Sequence, residues 1–388
     1  MTTERELWER IARGEDERTE FKREPDHPDK VAAEIVALAN SAQGGWILFG
    51  VDDDGRVAGV SDPAALERDL TNICRQNCIP PLLPEVELVP IGERNVLLLK
   101  IDGPDRPYRT NRGVYYVRVG ATRRQATQQE LIRIFQLRGA LHYDETPVLS
   151  TTLDDLDLAY FGRYYERQFK ERLDETGVPL PTLLQNMRLA AGVGETTYLT
   201  LAGLLLFGHH PQRHLRYTRL TVVRFAGPEP AEEAIRDHRD LEGKTEEVIE
   251  GAIAFLQANT RITATMSGLR REDHPQYALP VLREAVVNSV AHRDYSIAGR
   301  QIRLFVFDDR VEVHSPGRLP NTITLETIRY GVHYERNPRL CAVLSHLGYM
   351  REIGTGIPKM IRLTRQLAGR EPEFTLRGEE FIVTIPAA

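Results

Sequence analysis

Apolar and polar positions alternate in two registers along the first 140 residues. Residues 4–13 put Leu7, Trp8 and Ile11 on one side of a short helix. Val31, Ile35, Leu38 and Ala39 form a second helical stripe between Asp29 and Ala42, which the Gly44-Gly45 pair stops. A strand carrying Glu20 precedes that helix, and the apolar run Trp46–Val51 forms a second strand ending in Asp52, Asp53 and Asp54. Asp54-Gly55 signals a hairpin. Pro63 opens a helix that runs to about Cys78 and is broken by Pro80, Pro81 and Pro84. EVELVP (85–90) and Val96–Ile101 read as paired strands, and Thr127 caps a helix over 128–138.

Beyond a boundary near Gly139–Pro147 the pattern becomes helical at 153–173, 180–190 and 200–207, which predicts a winged-helix-like connector. A strand at 220–225, a linker rich in Pro and Glu and a helix near 242–257 follow. REAVVNSVAHRDY (283–295) reads as a helix with Glu284, Asn288 and His292 on one stripe. Such a stripe is either a pocket wall or the wet side of an amphipathic helix. IRLFVF and VEVHS then give two strands, Gly354-Thr355-Gly356-Ile357 precedes another helix, and FTLRGEEFIVTIP completes a sheet. The fold class is α/β (α+β), with domains at 1–140, 141–215 and 216–388.

At 388 residues the chain has room for two or three cores, and its 41% hydrophobic and 27% charged residues are ordinary for a globular protein. No run approaches the roughly 18 apolar residues of a membrane span. The charged start MTTERELWERI has no signal-peptide core. Three cysteines make no disulfide framework, which suits a reducing cytoplasm, and Cys74 and Cys78 read as packing residues. His209, His210 and His214 read as surface histidines rather than metal ligands. A net charge of −6 excludes a protein that coats nucleic acid indiscriminately, so any such contact needs a local basic patch. Residues 106–129 supply one: they contain no acid, and interleave Arg106, Arg109, Arg112, Arg118, Arg123 and Arg124 with Tyr108, Tyr115 and Tyr116. Arginine forks suit phosphate oxygens and tyrosine faces stack on unpaired bases; a solvated hairpin with core tyrosines would read the same way.

Glu15, Glu20 and Asp52 are the candidate catalytic and metal-ligating residues, with Asp53 an alternative third carboxylate. If the two strands are neighbours, three carboxylates converge on one face, and Mg²⁺ or Mn²⁺ favours oxygen-only ligands. A solvated charge run and an acidic turn would leave the same sequence. The order Glu15, Glu20-Phe21-Lys22, Ala39-Asn40, Gly44-Gly45 and Gly50-Val51-Asp52-Asp53, closed by YVRVGATRRQAT, resembles the Alba-like domain of Schlafen proteins. The resemblance implies a nuclease site at Glu15, Glu20 and Asp52, with Lys22 and the arginines (and Tyr115) on the nucleic acid. It implies a metal-dependent endoribonuclease on structured RNA such as tRNA, a homodimer supplying a second lobe, and a setting in phage defence. The alternative is a DNA-binding transcriptional regulator controlled by nucleotide.

Glu284 and Asn288, the two strands, Ser315-Pro316-Gly317 and the Gly354–Gly356 loop resemble the GHKL-type (Bergerat) ATPase fold. That implies an ATP-binding site in which Glu284 activates water, Asn288 holds Mg²⁺, and Gly354, Thr355 and Gly356 cover phosphates, with His292, Ser315 and Gly317 in the same pocket. The family reads adenine through Asp-x-Gly-x-Gly. Here Ser315 stands for the aspartate and Leu319 for the last glycine, so that carboxylate contact is absent. HRDYS, SPGRLP, Arg336-Asn337-Pro338 and GTGI further resemble bacterial Schlafen-type regulators related to RecG. Such proteins often carry a helix–turn–helix after this half; the chain ends at Ala388, so that module is expected to be missing.

Overall fold

The computed structural model describes residues 2–41, 43–137, 141–267, 270–319, 323–332, 334–350 and 354–388. Chain contacts divide it into two compact units, Met1–Leu141 and His142–Ala388. Parts of three expected features, the helix end at residue 138, the boundary at Gly139 and the last residue of SPGRLP, lie outside the described residues.

In chain order the first unit contains α1 (Glu4–Arg13), β1 (Thr19–Lys22), α2 (Pro28–Ala39), β2 (Gly45–Phe49), α3 (Pro63–Gln76), β3 (Cys78–Ile79), β4 (Glu85–Ile91), β5 (Arg94–Ile101), β6 (Arg109–Thr110), β7 (Tyr116–Val119), β8 (Thr122–Gln125) and α4 (Gln128–Leu137). Its main sheet runs β1-β2-β5-β4, with β1 parallel to β2 and the other pairs antiparallel. Strand alternation sorts the sheet's side chains to two cores. Ile47, Phe49, Leu97 and Leu99 meet α2 and α3, while Phe21, Leu48, Val96 and Leu98 meet Leu7 and Ile11 of α1. A capping box between Thr3 and Glu6 starts α1. Asn40, just past α2, fixes the loop that follows β5: its amide donates to the Tyr108 and Tyr116 carbonyls, and its Oδ1 accepts the Tyr108 N–H.

The second unit contains α5 (Leu158–Phe169), α6 (Leu180–Asn186), β9 (Ala190–Val193), β10 (Thr196–Leu199), α7 (Leu201–Phe207), α8 (Pro211–His214), β11 (Leu220–Phe225), β12 (Ile235–Leu241), α9 (Thr245–Asn259), β13 (Ile262–Ser267), β14 (Arg270–Pro275), α10 (Leu279–Ala291), β15 (Ile302–Val306), β16 (Arg310–Pro316), α11 (Pro338–His346), α12 (Gly356–Ala368), β17 (Glu373–Arg377) and β18 (Glu380–Pro386). A six-stranded mixed sheet, β12-β11-β15-β16-β18-β17, has α9, α10 and α12 against one face through Val222, Leu304, Val313, Val383, Val286, Leu256 and Met360.

Two expectations need correction. Residues 141–215 are not a helical connector of their own. Gly194 at φ +61° turns β9 into β10 where only helices were expected. This stretch also shares a core with the end of the chain: Phe161, Leu204 and Phe207 pack in one cluster with Tyr295, Leu340 and Val343. Buried Asp144 adds a tie by accepting the N–H groups of Arg339 and Leu340 at the start of α11. The Pro- and Glu-rich linker after 225 likewise contains a strand, β12. Its sequence IRDHRDL has no apolar alternation because β12 is an exposed edge, where charged side chains discourage further pairing.

Candidate functional sites

The neighbouring strands required for the acidic site are present. Glu20 lies opposite Ile47 in the parallel β1–β2 pair, and Asp52 follows β2 by three residues. Period-two alternation puts Glu20 and Lys22 on the α2 side of this edge strand. The expected convergence on a cation does not follow. Among the described residues no three His, Cys, Asp or Glu side chains form a group able to hold a metal ion.

Each carboxylate has another partner. Glu20 Oε1 accepts from Lys22 Nζ at 2.6 Å and its Oε2 from Arg118 Nη1 at 2.8 Å. Glu15 Oε1 accepts the Phe21 N–H at 2.8 Å. Burial raises the Glu15 pKa against that hydrogen bond, and the charges of Glu20 and Asp53 add to the rise. Asp52 turns to Arg23 at 3.6 Å, while its N–H donates to the Arg56 carbonyl across the acidic turn. Burial disfavours the Lys22 charge, but the hydrogen bond and charge of Glu20 outweigh it and raise the pKa. The residues present therefore do not fit a divalent cation in this arrangement.

The arginines of 106–124 are also placed differently from a free phosphate comb. Arg118 is 1% exposed and lies inside the acidic cluster. Arg123 bonds Glu34 at 2.7 Å, Arg124 holds Glu130 with both Nη atoms, and Arg112 pairs with Asp29. Arg106 donates to the Gly103 and Ser41 carbonyls. Arg109, half-buried, makes no ion pair among the described residues. Tyr108 is a core residue, Tyr116 packs beside that core under Arg123, and Tyr115 is half-buried.

In the second unit polar residues converge on open space. An open cleft, about 1130 Å³ with the adjoining solvent space counted in, is lined by Glu284, Asn288 and His292 of the α10 stripe, by Ser315 and Gly317, and by Gly354 and Gly356 before and at the start of α12. Ile357, Met360, Phe381 and Val383 make much of the remaining wall apolar. Asn288 Nδ2 donates to Glu284 Oε1 at 2.9 Å, which leaves the amide oxygen available. Ser315 Oγ donates to the Ser289 carbonyl at 3.0 Å and keeps lone pairs for a ligand. Gly356 lies close against Glu284: a Cβ there would lie 1.8 Å from Glu284 Oε1. Gly317 has φ +120°, and its added Cβ would meet Asp294 and Arg336. Thr355, the eighth expected residue, adjoins the lining and accepts the Lys359 N–H through its carbonyl. The HRDYS and Arg336-Asn337-Pro338 segments meet beside this cavity, which Arg336 and His292 also line. Arg336 donates to the His292 and Arg318 carbonyls, and Asn337 Nδ2 to those of Ala291 and Arg293.

A family model described as Schlafen, AlbA_2 matches residues 15–127. The chain carries a Schlafen AlbA_2 domain. A second model, described as "Putative ATP-dependent DNA helicase recG C-terminal", matches residues 299–385. The AlbA_2 match spans Glu15, Glu20, Asp52 and the arginines, whereas the second match holds Ser315 to Gly356 but not the α10 stripe. Together the two domains point to a nucleic-acid-related function.

No curated protein matches the chain. Among solved structures, the DIP2311 protein from Corynebacterium diphtheriae is 20% identical over 96% of this chain and 75% of its own, with TM-score 0.50, which shows a shared fold. The N-terminal domain of a RecG-related protein from Nitrosomonas europaea, titled a putative ATP-dependent DNA helicase, is 28% identical over 33% of this chain and 95% of its own, with TM-score 0.27. No described helix is long and apolar enough to cross a membrane.

Sequence reasoning missed Glu34 of the AlbA_2 domain. It is the one acid in the otherwise apolar run VAAEIVALA, where every residue of α2 from Val31 to Ala39 is buried. A helix apolar all round is a core helix, so its lone carboxylate had to be paired.

Proposed function

We propose that this chain is a nucleotide-responsive nucleic-acid-binding protein. The cavity of the second unit takes a purine nucleoside triphosphate such as ATP, and the AlbA_2 domain contacts the nucleic acid. The observation that carries this reading is the convergence of Glu284, Asn288, His292, Ser315, Gly317, Gly354 and Gly356 on one largely apolar cavity. Apolar walls with a few polar groups suit a purine with a phosphate tail. Bare backbone N–H groups at the start of α12 suit that tail. The Asn288 amide oxygen suits a Mg²⁺ ion accompanying the phosphates. Ser315 replaces a carboxylate at the base, so base selectivity rests on a hydroxyl acceptor.

Titration of the full chain with a fluorescent ATP analogue tests the reading. Binding is expected, and Asn288→Ala should weaken it at least tenfold, a loss of about 1.4 kcal/mol. Absence of binding in the unaltered chain would overturn it.

The more specific expectation was a metal-dependent endoribonuclease acting on structured RNA. Binding is favoured over cleavage because both carboxylate oxygens of Glu20 are held by cations of the chain itself. Labelled tRNA and duplex DNA, incubated with Mn²⁺ or EDTA and with or without ATP, should give a retarded complex without a metal-dependent product. Cleavage of tRNA by the unaltered chain, lost in Glu20→Gln, would reinstate the nuclease. A homodimer forms part of the proposal, and a monomer by light scattering at micromolar concentration would remove it.

A further inference from the structure

We propose that Lys22 and Arg118 together take the place of a divalent cation at Glu20. The acidic site of this AlbA_2 domain then serves as a built-in anchor for the β7–β8 hairpin rather than a metal centre. Three observations support this.

The first is saturation. Glu20 is 7% exposed at its side chain, and each of its oxygens accepts from a different cation. The second is the fixity of the guanidinium. Arg118 Nη2 donates to the carbonyls of Asp16, Thr19 and Ala121, at 2.7, 3.3 and 3.1 Å, while Nη1 bridges Glu20 and lies 3.5 Å from Glu34. An arginine cannot escape such a position by losing its proton, and its planar fork matches several acceptors at once. A cation arriving at Glu20 would have to displace this whole set. The third is charge. Glu15, Glu20 and Glu34 face Lys22, Arg118 and Arg123, so these three carboxylates are offset by three cations of the same unit, and Asp52 of the acidic turn beside them pairs with Arg23. A divalent ion would instead meet repulsion from two buried or half-buried cations.

The anchor has a structural consequence. Arg118 belongs to β7, and its partners Glu20, Thr19 and Asp16 lie about the edge strand β1, 98 to 102 residues earlier. Arg123 of β8 reaches Glu34 on α2 from the same hairpin. Two arginines thus tie the hairpin to the edge strand β1 and to α2.

The test uses the full chain with neither nucleotide nor nucleic acid present, so its outcome is independent of the proposed function. Free Mn²⁺ is followed by electron paramagnetic resonance as protein is titrated. The unaltered chain and the Asp52→Asn and Glu15→Gln variants should give the same isotherm. Arg118→Met, checked for folding by circular dichroism, should gain a Mn²⁺ site at least tenfold tighter, and Asp52→Asn in that background should remove the gain. A site in the unaltered chain that weakens tenfold or more in Asp52→Asn or Glu15→Gln would overturn the proposal. A folded Arg118→Met that gains nothing would also overturn it. If Arg118→Met does not fold, Lys22→Met, which empties Glu20 Oε1 at a half-exposed position, takes its place with the same two outcomes.

Discussion

The two polar clusters of this chain satisfy themselves in opposite ways. Around Glu20 the carboxylates of Glu20 and Glu34 end on Lys22, Arg118 and Arg123 of the same unit, although Arg118 Nε and Glu34 Oε2 are buried without a hydrogen bond. Around Glu284 and Asn288 the polar atoms bond each other once and then face a cavity, with glycines where a side chain would intrude. Both were legible as carboxylates beside glycines, and a list of residue types does not separate them. What separates them is whether the donors and acceptors of each group are already used. A buried ion pair specifies geometry more than it adds stability, whereas polar groups left open toward an apolar cavity are what a ligand needs.

The largest expected effect breaks the first cluster. Glu20→Gln leaves the buried Arg118 with a neutral hydrogen-bond partner and only the longer 3.5 Å contact to Glu34, and removing one member of a buried pair costs about 3–5 kcal/mol. The unfolding midpoint of the first unit should fall by roughly 10 °C or more. Calorimetry checks this. The Glu20→Leu/Arg118→Met double variant should recover part of the loss, because an apolar pair of similar volume removes the orphaned charge. A Glu20→Gln protein as stable as the parent would mean that Glu20 is a solvated carboxylate available to ligands.

The second effect sharpens the other half of the comparison. In Gly356→Ala the new methyl collides with the Glu284 carboxylate, the far end of a flexible side chain, so Glu284 swings into the cavity while the fold persists. Position 356 begins a helix, where Ala is well tolerated. ATP-analogue affinity should therefore drop at least tenfold, about 1.4 kcal/mol, while the unfolding midpoint barely moves. Equal losses of affinity and stability would mean that the glycine serves helix packing instead.

The sequence carried the strands and helices of the first unit well, because Val31, Ile35 and Leu38 or Leu97 and Leu99 keep strict periods on buried faces. It also carried the α10 stripe, since i, i+4 spacing alone brings Glu284 and Asn288 together. Long-range pairing was not legible. Arg118 and Glu20 stand 98 residues apart, and nothing in the local pattern of YVRVG tells an arginine aimed inward from one aimed at phosphate. Edge strand β12 was lost for a related reason: with only Ile235 and Leu241 apolar at its ends, it has no buried face to impose alternation. A separate connector ending at 215 was expected because short helices report helicity and not the partner they pack on, here Leu340 and Val343 of α11.

A third test asks whether another self-satisfied cluster behaves as the Glu20 cluster should. The buried His314 gives Nε2 to Glu312 at 2.9 Å and Nδ1 to Glu380 at 3.2 Å. Arg303 holds Glu380, and Arg310 holds Glu312. The hydrogen bond from His314, opposed by burial and aided by Arg310, brings Glu312 down from 4.5 to about 2. Burial opposes the same fall at Glu380, but His314 and Arg303 outweigh it, again to about 2. For His314 burial acts against the charge, and the two glutamates overcome it, raising its pKa above 6.5. The depressed carboxylates contribute stability that is present above pH 4.5 and lost as pH falls toward about 2. The raised histidine contributes stability that is complete below pH 6.5 and lost as pH rises through its folded pKa. The network should therefore stabilise most between those limits. In His314→Gln the unfolding midpoint should lose its decline on the alkaline side. A pH profile unchanged by that substitution would count against the network.

The smallest effect decides what the basic stretch does. Arg112 is 71% exposed at its side chain and paired with Asp29 at the start of α2. An exposed pair of this kind contributes about 0–1 kcal/mol, so Arg112→Ala should move stability within that range. Its effect on nucleic acid is more informative. An arginine whose fork is held by Asp29 releases no counterion on binding, so Arg112→Ala should leave affinity and its salt dependence nearly unchanged. Arg109 has no ion pair among the described residues and is the contrasting case. If it reaches a phosphate, Arg109→Ala should reduce the slope of log affinity against log salt by about 0.7–0.9, the share of one phosphate contact. The two variants, measured by filter binding from low to physiological salt, separate arginines held by their own fold from those left for a ligand. Equal slopes for Arg109→Ala and the unaltered chain would move the nucleic-acid contact away from residues 106–124 altogether.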